Sequence, residues 1–185
     1  MREPVLSDLF RTEERIRVLR YVAGRQTVAA TGVVEATGVS KALVSRYLHL
    51  LVREEFCTQD GRAYLWEENA RSLAVKCLLN IDLLMAVVPL PGWAGGIGVY
   101  GSFAEGTNTA DSDLDLWVLV DEYTPDLLML AARVEKTVSA AAGVETNILI
   151  ITPERLSELR ETDEPFYAGL MRWGVTIRGE SIDND

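Results

Sequence analysis

The chain has 185 residues, 48% hydrophobic and 25% charged, with a formal net charge of −10. That length allows one domain or two small ones, and the composition is that of a globular protein. No run of roughly 18 apolar residues occurs, so nothing in it is ready to span a membrane. The opening Met-Arg-Glu-Pro has no apolar stretch behind it and does not read as a secretory signal. The expectation is a cytoplasmic protein with no membrane partner.

His49 is the single histidine, and the two cysteines, Cys57 and Cys77, form no Cys-x-x-Cys pair. A zinc finger and a Ser-His-Asp triad are therefore excluded together. Chemistry here must use carboxylates, hydroxyls, backbone N–H groups or metals held by oxygen. The charge is unevenly spread. Residues 1–66 hold 10 Lys/Arg against 8 Asp/Glu, and residues 67–185 hold 8 against 20. Such asymmetry suggests two modules with different partners.

The first helical pattern opens at Ser7-Asp8, repeats through Leu9, Phe10, Ile16, Leu19 and Val22, and stops at Gly24. Thr27-Val28 follows, then a short apolar segment with Val33, Val34 and Ala36, ended by Thr37-Gly38-Val39. Ser40 is placed to cap a helix from Lys41 to about Glu54, whose buried stripe is Leu43, Val44, Tyr47, Leu48, Leu50 and Leu51. Phe56 to Trp66 reads as a hairpin with an Asp60-Gly61 turn.

Two helices across a short glycine turn, then a hairpin, resemble the winged helix-turn-helix family. The resemblance implies that Ser40, Lys41, Ser45 and Arg46 face the major groove or phosphates of DNA, and that Arg62 on the wing meets backbone. The plainer alternative is the solvated face of an amphipathic helix in a protein–protein scaffold.

Asn69 to about Val87 reads as one helix with an apolar stripe of Ala70, Leu73, Ala74, Cys77, Leu78, Ile81 and Leu84. Glu67-Glu68 puts carboxylates at its start, where the helix dipole favours them. Its apolar breadth suggests burial between the modules or the seam of a homodimer. Pro89, Pro91 and Gly92 end it. The organisation expected is a winged helix-turn-helix over 1–68, a connecting helix and linker over 69–92, and a second domain over 93–185.

Gly95 to Ser102 reads as a glycine-rich strand ending in Gly101-Ser102. Ten residues intervene before Asp113-Leu-Asp115-Leu, which runs into the apolar Trp117-Val-Leu-Val120 of a buried strand. Alternate residues of a strand share a face, so Asp113 and Asp115 point one way while Leu114 and Leu116 point into the core. Two adjacent carboxylates repel, and a divalent cation relieves the repulsion. Magnesium or manganese suits an all-oxygen site that also holds phosphates. Gly101 lets backbone approach a nucleotide closely, and Ser102 offers a hydroxyl at the start of a short helix, Phe103 to Gly106. Ser112, adjoining the pair, is a third candidate for nucleotide contact. No Lys or Arg lies between Lys76 and Arg133; metals, backbone dipoles, or Arg155, Arg160 or Arg172 folding back must offset a triphosphate's charge.

Gly-Ser, ten residues and Asp-x-Asp resemble the DNA-polymerase-β-like nucleotidyltransferases, and more narrowly the minimal ones, over about residues 93–180. The resemblance implies an α/β (α+β) domain with a short mixed sheet and helices behind it. It implies transfer of a nucleoside monophosphate, with AMP from ATP first in line, to an acceptor hydroxyl. Some members modify a cognate toxin, so a protein acceptor is compatible with it. It also implies a third carboxylate on a later strand. The expected strand, Val144 to Ile151, places Asn147 there instead, with Glu145 two positions earlier. Either Glu145 completes the catalytic set or the site is crippled, which leaves two readings: an enzyme, or a DNA-binding regulator whose second domain only binds nucleotide or a partner. Thr152-Pro153 opens a helix, a second spans Glu164 to Trp173, and Gly174 to Gly179 returns as a strand. Phe166, Tyr167 and Trp173 read as core, and residues 181–185 as frayed.

Overall fold

Local capping chemistry sets most of the helix boundaries. In a computed structural model describing residues 6–183, helix α1 (Leu6–Leu9) stops early and α2 (Glu13–Ala23) starts afresh. The sequence pattern reads as one helix here. The break arises because the Thr12 hydroxyl accepts from the Arg15 N–H and starts a new helix. Strand β1 (Thr27–Ala29) leads into α3 (Ala30–Thr37), then α4 (Lys41–Arg53). Ser40 caps α4 through the Leu43 N–H, as expected. Val44, Tyr47, Leu48, Leu50 and Leu51 are buried along it, and the Tyr47 hydroxyl donates to the Leu9 carbonyl at 2.9 Å. Strands β2 (Cys57–Asp60) and β3 (Ala63–Trp66) form the hairpin, and β1 joins it in the order β1-β3-β2, all antiparallel. Asp60 pairs with Ala63, so the turn residues are Gly61 and Arg62, one position later than Asp60-Gly61.

Helix α5 (Ala70–Val87) is capped by the Asn69 side chain, which accepts from the Arg71 and Ser72 N–H groups. Its buried face differs from the expected stripe. Ala70, Ala74 and Leu78 are exposed, whereas Ser72, Lys76 and Asn80 are buried beside Val75, Leu79 and Leu84. The chain divides into two compact units, Met1–Lys76 and Cys77–Asp185, and the division falls inside this helix.

The second unit is built on β4 (Gly96–Tyr100), α6 (Gly101–Glu105), β5 (Leu114–Leu119), α7 (Asp126–Ala142), β6 (Thr146–Ile151), α8 (Pro153–Thr162), α9 (Glu164–Trp173) and β7 (Val175–Gly179). Its sheet runs β6-β5-β4-β7, parallel between β5 and β6 and antiparallel elsewhere, so the expected mixed α/β domain is present. One face buries Ile97, Val99, Leu114, Leu116 and Val118 against Leu84, Phe103, Leu127 and Val138. The other buries Trp117, Ile151, Leu170 and Ile182, with Tyr100 and Phe166 at its margin. Ile182 is therefore core, which corrects the frayed reading of that segment; residues 184 and 185, like Met1 to Val5, lie outside the described residues. Trp173 is also corrected: it is 49% exposed, with the Arg172 guanidinium over its ring.

Gly98 fixes how β4 lies on β5. A Cβ there would stand 2.2 Å from the Trp117 ring and 2.4 Å from the Val175 carbonyl oxygen. The Trp117 ring is fully buried and the Val175 oxygen is backbone held in the sheet, so neither yields cheaply. Gly98→Ala should lower unfolding free energy by about 3 kcal/mol or more, whereas Gly92→Ala, which meets nothing within 4 Å, should stay within about 0.5 kcal/mol. Urea denaturation of the two variants checks this, and equal midpoints would refute the packing argument.

Candidate active site

Strand register assembles the site. Asp115 on β5 lies opposite Tyr100 on β4 and Asn147 on β6. Directly paired residues share a face, so three side chains line up across the sheet. The Asn147 amide donates a long hydrogen bond, 3.5 Å, to Asp115 Oδ1. Asp113 precedes β5 by one residue and is exposed, while Asp115 is half-buried. Gly101 follows Tyr100 at φ +64°, a left-handed conformation that favours glycine. A Cβ on it would lie 3.2 Å from Asp115 Oδ2. The Gly101-Ser102 step and Asp115 thus meet at one point, with Ser102 as the second residue of α6.

Burial lifts the Asp115 carboxyl above the usual aspartate range; the Asn147 amide opposes this, and the charge of Asp113 adds to it. Tyr100 is pushed up to about 12, by burial first and then by the Asp115 charge. Its ring meets Phe166 edge-on at a centroid distance of 5.8 Å. Sequence reasoning missed Tyr100, because only the register reveals that it faces Asp115.

The other expected residues are placed less uniformly. Ser112 is engaged within its own turn, where its hydroxyl accepts from the Thr109 N–H at 2.8 Å. Glu145 is exposed and lies ahead of β6; its backbone carbonyl accepts from the Leu114 N–H. Among the described residues no three His, Cys, Asp or Glu side chains converge on a point. The aspartate pair has Asn147 as its third neighbour. Arg155 is paired with Glu158 at 2.5 Å and Arg172 stacks on Trp173, so neither is folded back over the pair. Arg160 is exposed.

In the N-terminal unit, Ser40, Lys41, Arg46 and Arg62 are exposed and Ser45 is half-buried. Arg46 Nε donates to the Ala42 carbonyl one turn back. Glu13, Glu14 and Arg17 line an open hollow with Gly38, Val39 and Ser40, which sets two carboxylates beside the start of α4.

Residues 91–165 match the family described as a nucleotidyltransferase domain, and residues 16–61 that described as an IclR helix-turn-helix domain. The chain joins an IclR-type helix-turn-helix domain to a nucleotidyltransferase domain. No curated protein matches it. Among solved structures it is similar to a toxin-antitoxin crystallised with AMP-PNP, at 19% identity over 56% of this chain and 73% of that one, with a TM-score of 0.36. It is similar also to a mutant of the toxin-antitoxin MntA-HpeT, at 17% identity, the same coverages and a TM-score of 0.36. No helix among the described residues is long and apolar enough to cross a membrane.

A raised carboxyl pKa has a definite sign. The folded nucleotidyltransferase domain holds the Asp115 proton more tightly than the unfolded chain, so ionised Asp115 destabilises it, and the cost grows as pH rises through the raised pKa. In chelator, Asp115→Asn should therefore be more stable than wild type at pH 7. The difference should shrink as pH falls toward about 4, the ordinary aspartate range. Chemical denaturation at both pH values checks this; a variant weaker than wild type at pH 7 would sink the electrostatic account.

Proposed function

We propose that the nucleotidyltransferase domain is a metal-dependent enzyme that moves a nucleoside monophosphate, AMP in the first instance, from a triphosphate to an acceptor hydroxyl, releasing pyrophosphate. The observation that supports this reading is the approach of Gly101 to Asp115, which sets a bare backbone step against one carboxylate of the Asp113-x-Asp115 pair. That donor set fits magnesium or manganese: both prefer oxygen ligands, and the glycine leaves room in front of Asp115. Asp113 and Asp115 would hold the ion. When bound, it offsets phosphate charge and stabilises the attacking and leaving oxygens.

The chain's own residues do the rest. Gly101 and Ser102 orient the phosphates through backbone N–H groups and a hydroxyl. Tyr100 and Phe166 wall one side of Asp115 and exclude water from it. Glu145 takes the acceptor's proton, and the acceptor belongs to a partner protein. The N-terminal domain brings this activity to DNA, with Ser40, Lys41, Ser45 and Arg46 toward the groove and Arg62 toward the backbone.

Asn147 favours a second reading. An amide beside Asp115 cannot act as a base and is a weaker magnesium ligand than a carboxylate. In that reading the second domain binds nucleotide or a partner and transfers nothing, and the protein is a DNA-binding regulator.

Labelled ATP with magnesium and native cell extract separates the two. Under the enzyme reading wild type labels an acceptor, and Asp113→Asn with Asp115→Asn lowers transfer by more than about 100-fold, the upper range for disturbing even an outer partner of a metal ligand. No transfer, with magnesium-dependent ATP binding retained, would leave the regulator. For the N-terminal domain, Arg46→Ala should weaken DNA binding and reduce the slope of log K against log salt by about 1. An affinity indifferent to both salt and this change would remove DNA from the account.

A further inference from the structure

Helix α6 spans five residues, too few to satisfy its own carbonyls. The Ser102 carbonyl accepts from the Gly106, Thr107 and Asn108 N–H groups. The next two carbonyls are served by α5. Cys77 Sγ donates to the Ala104 carbonyl at 3.1 Å, and Asn80 Nδ2 donates to the Phe103 carbonyl at 2.9 Å. Asn80 Nδ2 spends its second proton on Asn108 Oδ1, also at 2.9 Å. Asn80 is 9% exposed and Asn108 6%. A buried amide is costly unless its hydrogen bonds are made, and among Leu79 and Leu84 a leucine would pack without that cost. A primary amide offers two protons from one nitrogen to two acceptors without burying a charge.

The two acceptors belong to the two halves of the candidate site. Phe103 follows Gly101-Ser102 on α6. Asn108 opens the loop whose Thr109–Ser112 turn leads to Asp113. We propose that Asn80 is a positioning residue that locks the Gly101-Ser102 helix to the loop carrying Asp113, so that the aspartate pair is held ready for a divalent cation. The proposal rests on the metal-dependent reading above, and Asn80 touches neither metal nor nucleotide.

The test uses the whole chain and Mn2+ alone, titrated by the paramagnetic resonance of free Mn2+, alongside amide hydrogen exchange. Asn80→Leu should raise the Mn2+ concentration for half-saturation about tenfold, the usual scale for losing support behind a ligand. The Thr107 and Asn108 amides should exchange faster. Asn108→Ala, which removes the Asn80 Nδ2 acceptor on the loop and leaves the bond to the Phe103 carbonyl, should reproduce the Mn2+ effect if Asn80→Leu fails to fold. Leu84→Val, a cavity in the same helix, should move neither readout. Unchanged Mn2+ binding and unchanged exchange in Asn80→Leu would overturn the proposal, as would equal shifts in Leu84→Val. A wild type that binds no Mn2+ would defeat the metal reading alone. Faster loop exchange in Asn80→Leu would then still support the lock between helix and loop, and unchanged exchange would overturn it.

Discussion

The site depends on one constraint, the register of β5 between its two neighbours. Trp117 occupies space that a side chain at Gly98 would fill, and this seats β4 on β5 at one offset. Given that offset, Tyr100 must lie opposite Asp115, and the next residue, Gly101, must turn over the carboxylate. A slip of one residue would carry Asp115 to the face that buries Leu114 and Leu116, where an ionised group has no partner. Packing beneath the sheet and chemistry at its edge are therefore set by the same contacts. The parallel pairing with β6 then decides what stands on the far side of Asp115, and that is an amide.

Residues with a strong local rule were legible in the sequence. Ser40 caps α4 because a hydroxyl before an apolar repeat has one good use there, and Thr152 does the same for α8. Asn147 falls beside Asp115 because strand periodicity is fixed at two. Outcomes that rest on competition between rules were not legible. Thr12 interrupts a good helical repeat because its capping bond outweighs one more turn of helix. Helix α5 buries Asn80, since its bonds to the Phe103 carbonyl and to Asn108 offset a polar cost that a periodicity count charges in full. Trp173 stays half-exposed because Arg172 covers its ring. Tyr100 carries no motif of its own and gains its place only from register.

Charge separates the two domains physically. The helix-turn-helix half is nearly balanced, and the exposed cations on α4 and its hairpin compete with Glu13 and Glu14 beside Ser40. Under the proposed reading, selectivity for DNA over any polyanion comes from those few exposed donors rather than from bulk field. The nucleotidyltransferase half is strongly acidic, and its candidate site lies in a stretch with no Lys or Arg between Lys76 and Arg133. Anion binding there has to be organised locally, by backbone N–H groups and by any cation the carboxylates hold.

Asn147 can be weighed in the same terms. A third carboxylate at that position would stand beside two others, one of them already raised by burial. Mutual repulsion would lift Asp115 further and penalise the metal-free fold. The amide does the opposite, because its N–H donates to Asp115 and favours the charged form. The domain thereby keeps Asp115 closer to its charged form while lacking a third carboxylate at the same point. Such a site is easier to hold folded without metal and harder to drive through proton transfer. Under the proposed transfer, Glu145 is the carboxylate that has to reach that point when substrate is bound.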